Sequence, residues 1–298
     1  MKIVPEEKNF LGLPEEFSNY ENSKIAILSA PLEKTVSYGG GTAKGPEEIL
    51  SASHYVEFYD EEIKREICFE KGIATLEPLQ LKDKSSEEAL DVIYANVKKL
   101  LGNDKFVVTL GGEHTISLAP IKAHLEKYED LTIVQIDAHS DLRDEYEGSK
   151  YSHACVMARV AELTKNIYQI GVRAQEKAEA KFIRENKIKT YYMRDIRRGK
   201  FGKKWFYNVV RNMSENVYIT FDVDGLDPSV IPATGTPEPG GLFWDEALDF
   251  IKIIAKHKKI VGFDVVELAP SNIHPASNFT AAKLVYKILN YSFWKNKI

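Results

Sequence analysis

Short runs of consecutive apolar, largely β-branched residues alternate along this chain with longer stretches in which apolar positions recur at helical spacing. The runs at 24–30, 105–110, 131–136, 166–171, 188–192, 217–221 and 259–265 read as strands. Several are apolar on successive positions rather than every second one, as a parallel strand covered on both faces requires. Between them, 86–101 begins with Ser85 and Glu88 at capping-box spacing and carries Ala89, Val92, Ile93 and Val97 along one face. Further helices are predicted over about 116–127, 153–164, 175–186, 195–211, 245–257 and 277–291. Strands alternating with helices predict an α/β fold with a parallel sheet and helices on both sides. No repeat, low-complexity tract or linker divides the chain, so 1–298 is expected to be one domain.

Composition narrows the class. Forty Lys and Arg against forty-four Asp and Glu give a net charge of −4, with 44% hydrophobic residues, an ordinary balance for a chain that buries one large core. A pI near 6.0 offers no basic footprint for nucleic acid. No run approaches the roughly 18–20 apolar residues that span a bilayer, and the first residues lack the apolar core of a signal peptide. The two cysteines, Cys68 and Cys155, are too few for a disulfide framework and suit a reducing compartment as free thiols. The expectation is a cytoplasmic protein without a nucleic-acid or membrane partner.

Two irregular stretches interrupt the alternation. Residues 36–46 hold four glycines and a proline, and 225–241 hold four prolines and four glycines directly after a strand. Long ordered loops at strand ends are where α/β proteins keep their sites. The candidate chemistry gathers at such ends. Asp137, His139 and Asp141 directly follow the 131–136 run; in an extended segment, i, i+2 and i+4 project to one side. Asp222 and Asp224 follow 217–221 with the same spacing, and Gly111-Gly112-Glu113-His114 follows 105–110. Taken singly, His114 fits a loop or capping role and Asp222 and Asp224 fit turns. Three ionisable groups aimed one way at a sheet edge repel one another, or are costly to bury, unless a cation gathers them.

Charge indicates the cation. Four aspartates are neutralised by two divalent ions, while the two histidines bind as neutral imidazoles. Six ligands cannot fill two separate shells, so carboxylates must bridge, holding the ions roughly 3.5–4 Å apart as in two-metal hydrolases. An oxygen-rich set with two nitrogens and no thiolate favours Mn²⁺ over Zn²⁺.

These residues carry a resemblance. Gly-Gly-Glu-His at 111–114, Asp-Ala-His-Ser-Asp at 137–141 and Asp-Val-Asp-Gly-Leu-Asp-Pro at 222–228 resemble the signatures of the ureohydrolases, the arginase and agmatinase family. The match extends to Gly-Pro-Glu-Glu-Ile at 45–49, Gly-Thr-Pro-Glu-Pro-Gly-Gly at 235–241 and Asp-Val-Val-Glu at 264–267, so it covers about residues 24 to 290. The resemblance implies a three-layer α/β/α sandwich around a mostly parallel sheet, with two manganese ions per chain that support hydrolysis of a guanidinium group to urea. It implies one ion on His114, Asp137, Asp141 and Asp222, and another on Asp137, His139, Asp222 and Asp224. Asp141 would shuttle the nucleophile's proton, His153 would transfer a proton near the leaving amine, and Glu267 would hold the guanidinium. A carboxylate can accept two parallel N–H bonds from that group. The resemblance also implies a homo-oligomer.

The substrate is expected to be a small cationic guanidino compound. The stretch 142–153 lacks the asparagine and Ser-Gly-Asn with which arginases hold an α-carboxylate and α-amine, and resembles agmatinases instead. That favours agmatine, giving putrescine for polyamine biosynthesis. Guanidinobutyrate and aminopropylagmatine are the alternatives, followed by arginine. A non-catalytic metal-binding homologue would be signalled by a missing ligand or a missing Glu267, and the set is complete. Asp144, Glu145 and Glu147 are expected to repel a carboxylate if they face the pocket, and Arg143 to attract one if it turns inward. Cys155 reads as a small buried helix residue rather than a nucleophile.

Overall fold

All seven predicted strands form, and the sheet they build is parallel throughout. The computed structural model describes residues 1–202 and 205–294. Its strands are β1 (Ile25–Ala30), β2 (Ile73–Thr75), β3 (Phe106–Gly111), β4 (Leu131–Ile136), β5 (Ile167–Ile170), β6 (Lys189–Tyr191), β7 (Asn216–Asp222) and β8 (Lys259–Val266). They lie in the order β2-β1-β3-β8-β7-β4-β5-β6, and every pairing is parallel. The strand that patterning missed, β2, has only three residues and sits at the sheet edge, too short to show a period.

The two faces divide along each strand. Ile25 and Ile27 of β1 join Val108 and Phe263 in a core closed by Gly45–Ser53, Trp244–His257 and Ala276–Ser292. Ala26 and Leu28 point the other way, with Val107, into the side chains of Ser86–Gly102. Ile133 and Tyr218 on that face meet Val156–Leu163 and Lys177–Asn186. This is the expected α/β/α sandwich. Both faces of the central strands are buried, each large aliphatic side chain contributing about 1.5–3 kcal/mol, which is why these runs are apolar on successive positions.

The capping box at Ser85 forms as read: its Oγ accepts from the Glu88 amide at 3.2 Å, and Glu88 Oε2 accepts from the Ser85 amide at 2.8 Å. The single helix expected over 195–211 does not form. Met193–Arg197 and Trp205–Arg211 are separate helices, and the chain turns through Gly199 and Gly202 at φ of 69° and 76°. Residues 203 and 204, in the middle of that prediction, lie outside the described residues. Two other helices open with a tight 3-10 turn, His114–Ser117 before Leu118–Lys127 and His153–Cys155 before Val156–Leu163. No helix among the described residues is long and apolar enough to cross a membrane.

Candidate metal centre and its pocket

Parallel pairing puts the carboxyl ends of β3, β4, β7 and β8 at one edge, and the candidate ligands leave the sheet there. Two glycines let the backbones close in. A Cβ on Gly112 would lie 2.0 Å from the Leu32 carbonyl oxygen, and one on Gly225 would lie 2.8 Å from the Asp137 amide nitrogen. The expected convergence occurs, but not through extended chain. Asp141 sits at φ 52°, so the 137–141 segment bends back, and Asp222 caps the turn Val223–Gly225 by accepting from the Asp224 amide at 2.8 Å. Asp222 and Asp137 satisfy these turns with their own oxygens, Asp137 Oδ1 accepting from the His139 amide at 2.6 Å, so turn geometry replaces strand alternation.

Two groups of potential ligands result: His114, Asp137 and Asp141, and Asp137, His139 and Asp224. Asp137 belongs to both. His114 Nδ1 lies 3.0 Å from Asp137 Oδ2, 3.0 Å from Asp141 Oδ2 and 3.4 Å from Asp222 Oδ2. His139 Nδ1 lies 2.9 Å from Asp224 Oδ2 and 3.7 Å from Asp137 Oδ1. Asp222 thus stands beside the first group, and all six candidate ligands come together.

The donor set fits a metal. The Asp264 carboxylate accepts from the Thr220 hydroxyl at 2.7 Å, and Thr220 Oγ1 lies 2.9 Å from His114 Nε2. With Asp264 taking its proton, Thr220 is left to accept from Nε2–H, so Nδ1 carries the lone pair. That nitrogen is buried among carboxylate oxygens and has no hydrogen-bond partner. An acceptor facing acceptors in a dry site is the arrangement a cation resolves.

Titration behaviour reflects the same crowding. Burial opposes ionisation of Asp137, yet the imidazoles of His114 and His139 beside it hold its carboxyl below the usual range. Burial and the neighbouring Asp137 charge push Asp141 up to about 7. Burial, then Asp224 and Asp137, push Asp222 well upward. Burial disfavours the imidazolium of His114 and His139, but the surrounding carboxylates outweigh it; His114 rises well above its ordinary value and His139 to about 12. Four carboxylates in one dry space cannot all ionise unaided, and divalent charge inverts this local logic.

Above these groups lies a cavity of about 380 Å³. His114, His139, Asp141, Asp222 and Asp224 form its floor, and Glu267 and His153 its walls. Glu267, at φ 64°, accepts from the His114 amide at 2.6 Å through Oε1; burial pushes its carboxyl up to about 8 despite that bond. A non-glycine residue held in the left-handed region is a cost that functional sites retain. His153 is no simple helix cap. Its Nδ1 is 3.1 Å from Thr35 Oγ1 and its Nε2 2.9 Å from Ser37 Oγ, while burial lowers its pKa. Sequence reasoning flagged the 36–46 stretch but missed Thr35 and Ser37. It also missed Glu113, whose Oε2 accepts from the Lys34 and Thr35 amides at 2.6 Å each and so pins that loop. The adjacency of Glu113 to His114 was the available signal.

The acidic side chains of the loop are directed away from the cavity. Asp144 is turned away, 2.7 Å from Arg159 Nη2, and the exposed Glu145 and Glu147 are not among the residues lining the cavity. Arg143 does line it, over the Tyr146 ring and 3.6 Å from Glu176 Oε2. The loop carboxylates therefore do not face the cavity, contrary to expectation. Glu176, a residue the sequence reading passed over, does stand on the cavity wall. Cys155 is buried as expected, and burial pushes its thiol up to about 11, which leaves it inert.

Comparison with known proteins follows the same lines. The model of the arginase family matches residues 23–290. The chain is 38% identical to an N(1)-aminopropylagmatine ureohydrolase from Synechocystis sp., over 97% of this chain and 95% of that one. It is 36% identical to an agmatinase from Bacillus cereus, over 91% and 92%. Among solved structures it is similar to a putative agmatinase from Clostridium difficile, with a TM-score of 0.83, 32% identity and coverage of 92% and 98%.

Proposed function

Because the chain belongs to the arginase family, we propose that it hydrolyses the guanidinium group of a carboxylate-free guanidino amine, agmatine first, to urea and putrescine. The observation that carries this is the cavity itself, with five of the six candidate metal ligands on its floor, Asp137 buried against them, and the carboxylate of Glu267 on its wall. Two Mn²⁺ ions are assigned, one to His114, Asp137, Asp141 and Asp222, the other to Asp137, His139, Asp222 and Asp224. Bound there, such a pair supplies Lewis-acid activation of water near neutral pH.

The chain's residues do the rest. Glu267 has Oε1 engaged by the His114 amide, and its second oxygen is available to pair with the guanidinium and fix the plane of its carbon over the floor. Asp141, whose carboxylate stands on the cavity floor, would accept the proton released by the attacking water. His153, kept neutral by burial and steadied by the hydroxyls of Thr35 and Ser37, relays a proton to the departing amine as the C–N bond breaks. Water's oxygen ends in urea and both of its protons on the products. Glu176 offers a carboxylate to the amine at the substrate's far end.

Aminopropylagmatine is the second reading, favoured by the relative that carries that name. The free buried thiols of Cys68 and Cys155 support a cytoplasmic setting, and the family resemblance supports a homo-oligomer. The test is urea release from agmatine, arginine, guanidinobutyrate and aminopropylagmatine with Mn²⁺ present. Within it, Glu267→Gln keeps the shape and removes the charge that pairs with guanidinium. Its kcat/KM is expected to fall by at least about tenfold, the equivalent of one charge-assisted bond, with manganese content unchanged. A variant that loses metal but keeps substrate affinity would show Glu267 to be a ligand instead.

A further inference from the structure

A polar residue interrupts each of six adjacent strands at the same level, and register aligns them into a row across the sheet. Thr109 of β3 pairs with Asp264 of β8, Asp264 with Thr220 of β7, Thr220 with Gln135 of β4, Gln135 with Gln169 of β5, and Gln169 with Thr190 of β6. One arm of this row is the Asp264–Thr220–His114 chain already described. The other ends on the shared ligand. Gln135 Nε2 donates to Asp137 Oδ2 at 2.7 Å and to the His139 carbonyl at 3.3 Å. Its Oε1 accepts from Gln169 Nε2 at 2.7 Å, and that nitrogen also donates to the Ser140 carbonyl at 2.7 Å. Gln169 Oε1 accepts from the Thr190 hydroxyl at 2.7 Å.

Both amides can face only one way. Carbonyl oxygens accept and never donate, so those of His139 and Ser140 require Nε2 of each glutamine on their side. Thr190 then supplies the one remaining donor, and the polarity of the whole chain runs toward Asp137. Gln135, Gln169 and Asp137 are fully buried, so a reversed amide would leave acceptor against acceptor in a dry site.

We propose that Thr190, Gln169 and Gln135 form a directional relay that positions the shared carboxylate of Asp137, with Gln135 as the positioning residue. A neutral amide donor holds Oδ2 toward His114 without adding charge, so the carboxylate keeps its full negative charge for cations on both sides. A lysine or arginine in its place would compete with those cations. This inference rests on the metal-centre reading.

The experiment is Mn²⁺ binding to the metal-stripped full chain by calorimetry, with the thermal midpoint of the metal-free protein measured alongside. Wild type is expected to bind. Gln135→Leu should weaken binding by about 10- to 100-fold, the usual cost of losing a partner of a ligand. Gln169→Leu and Thr190→Val should weaken it in the same direction by smaller factors, and Thr190→Ser, which keeps the hydroxyl, should bind as wild type does. Midpoints of the metal-free variants should fall modestly, because each leaves buried groups unpaired, but not in proportion to the loss of affinity. Should Gln135→Leu not fold, Thr190→Val on the less buried β6 decides alone. Unchanged affinity in these variants overturns the relay while leaving the metal centre standing. Loss of metal-free stability in step with affinity also overturns it, because the row would then be structural only. Failure of the wild-type chain to bind Mn²⁺ overturns both.

Discussion

Asp137→Asn is expected to lower kcat for urea release by at least about 10³-fold, or about 4 kcal/mol of transition-state stabilisation. Asp137 belongs to both ligand groups, with Oδ2 toward His114 and Oδ1 toward His139. Its substitution therefore strikes both metal positions at once. The amide removes a negative charge that each position uses, and it cannot match the existing contacts. Oδ2 accepts from Gln135 and Oδ1 accepts from the His139 amide at 2.6 Å, so the new NH₂ meets a donor wherever it turns. Some stability is lost to that mismatch, about 1–3 kcal/mol for an unmet buried group. Removing one of four crowded carboxylates offsets part of it, so the variant should fold. Elemental analysis and steady-state kinetics on the same preparation make the check. A variant that retains two ions per chain and near-wild-type kcat would remove Asp137 from the centre.

Arginine is expected to be poorer than agmatine by at least about 10²-fold in kcat/KM, or about 2.7 kcal/mol. Their guanidinium ends are identical, so the metal ligands and Glu267 cannot tell them apart. Arginine adds an α-carboxylate, which must exchange its bonds to water for bonds to protein. The cavity wall meets it with Glu176, a like charge. The arginine there, Arg143, is already 3.6 Å from Glu176 and stacked on Tyr146. The same wall suits an amine. Comparable kcat/KM for the two substrates would show that this wall does not read the tail. A preference for guanidinobutyrate that disappears in Arg143→Ala would show instead that Arg143 leaves Glu176 for a carboxylate.

The metal ligands were legible because each follows an apolar run directly, and a parallel sheet puts every such end on one edge. Their spacing was read as extended chain, whereas Asp141 and Asp222 reach the centre through turns; the residue types predicted the destination better than the path. The polar row was not read because Gln135, Gln169, Thr190 and Thr220 each stand alone in a different strand. Only register, a long-range property, joins them. The signal was still present: a polar residue near the end of strand after strand, in runs that are otherwise largely apolar. The direction of Asp144 was beyond patterning, since its partner Arg159 lies on a helix fifteen residues later. The break in 195–211 was signalled by Gly199 and Gly202, which helical spacing alone overrode.

The most direct test of the central claim is a titration of the chelator-stripped protein with Mn²⁺, following urea release from agmatine. Four buried aspartates that neutralise two divalent charges predict no release from the stripped protein and a plateau at about two ions per chain. Full activity in the stripped protein, or a plateau at one ion, would contradict a binuclear centre built on a shared Asp137.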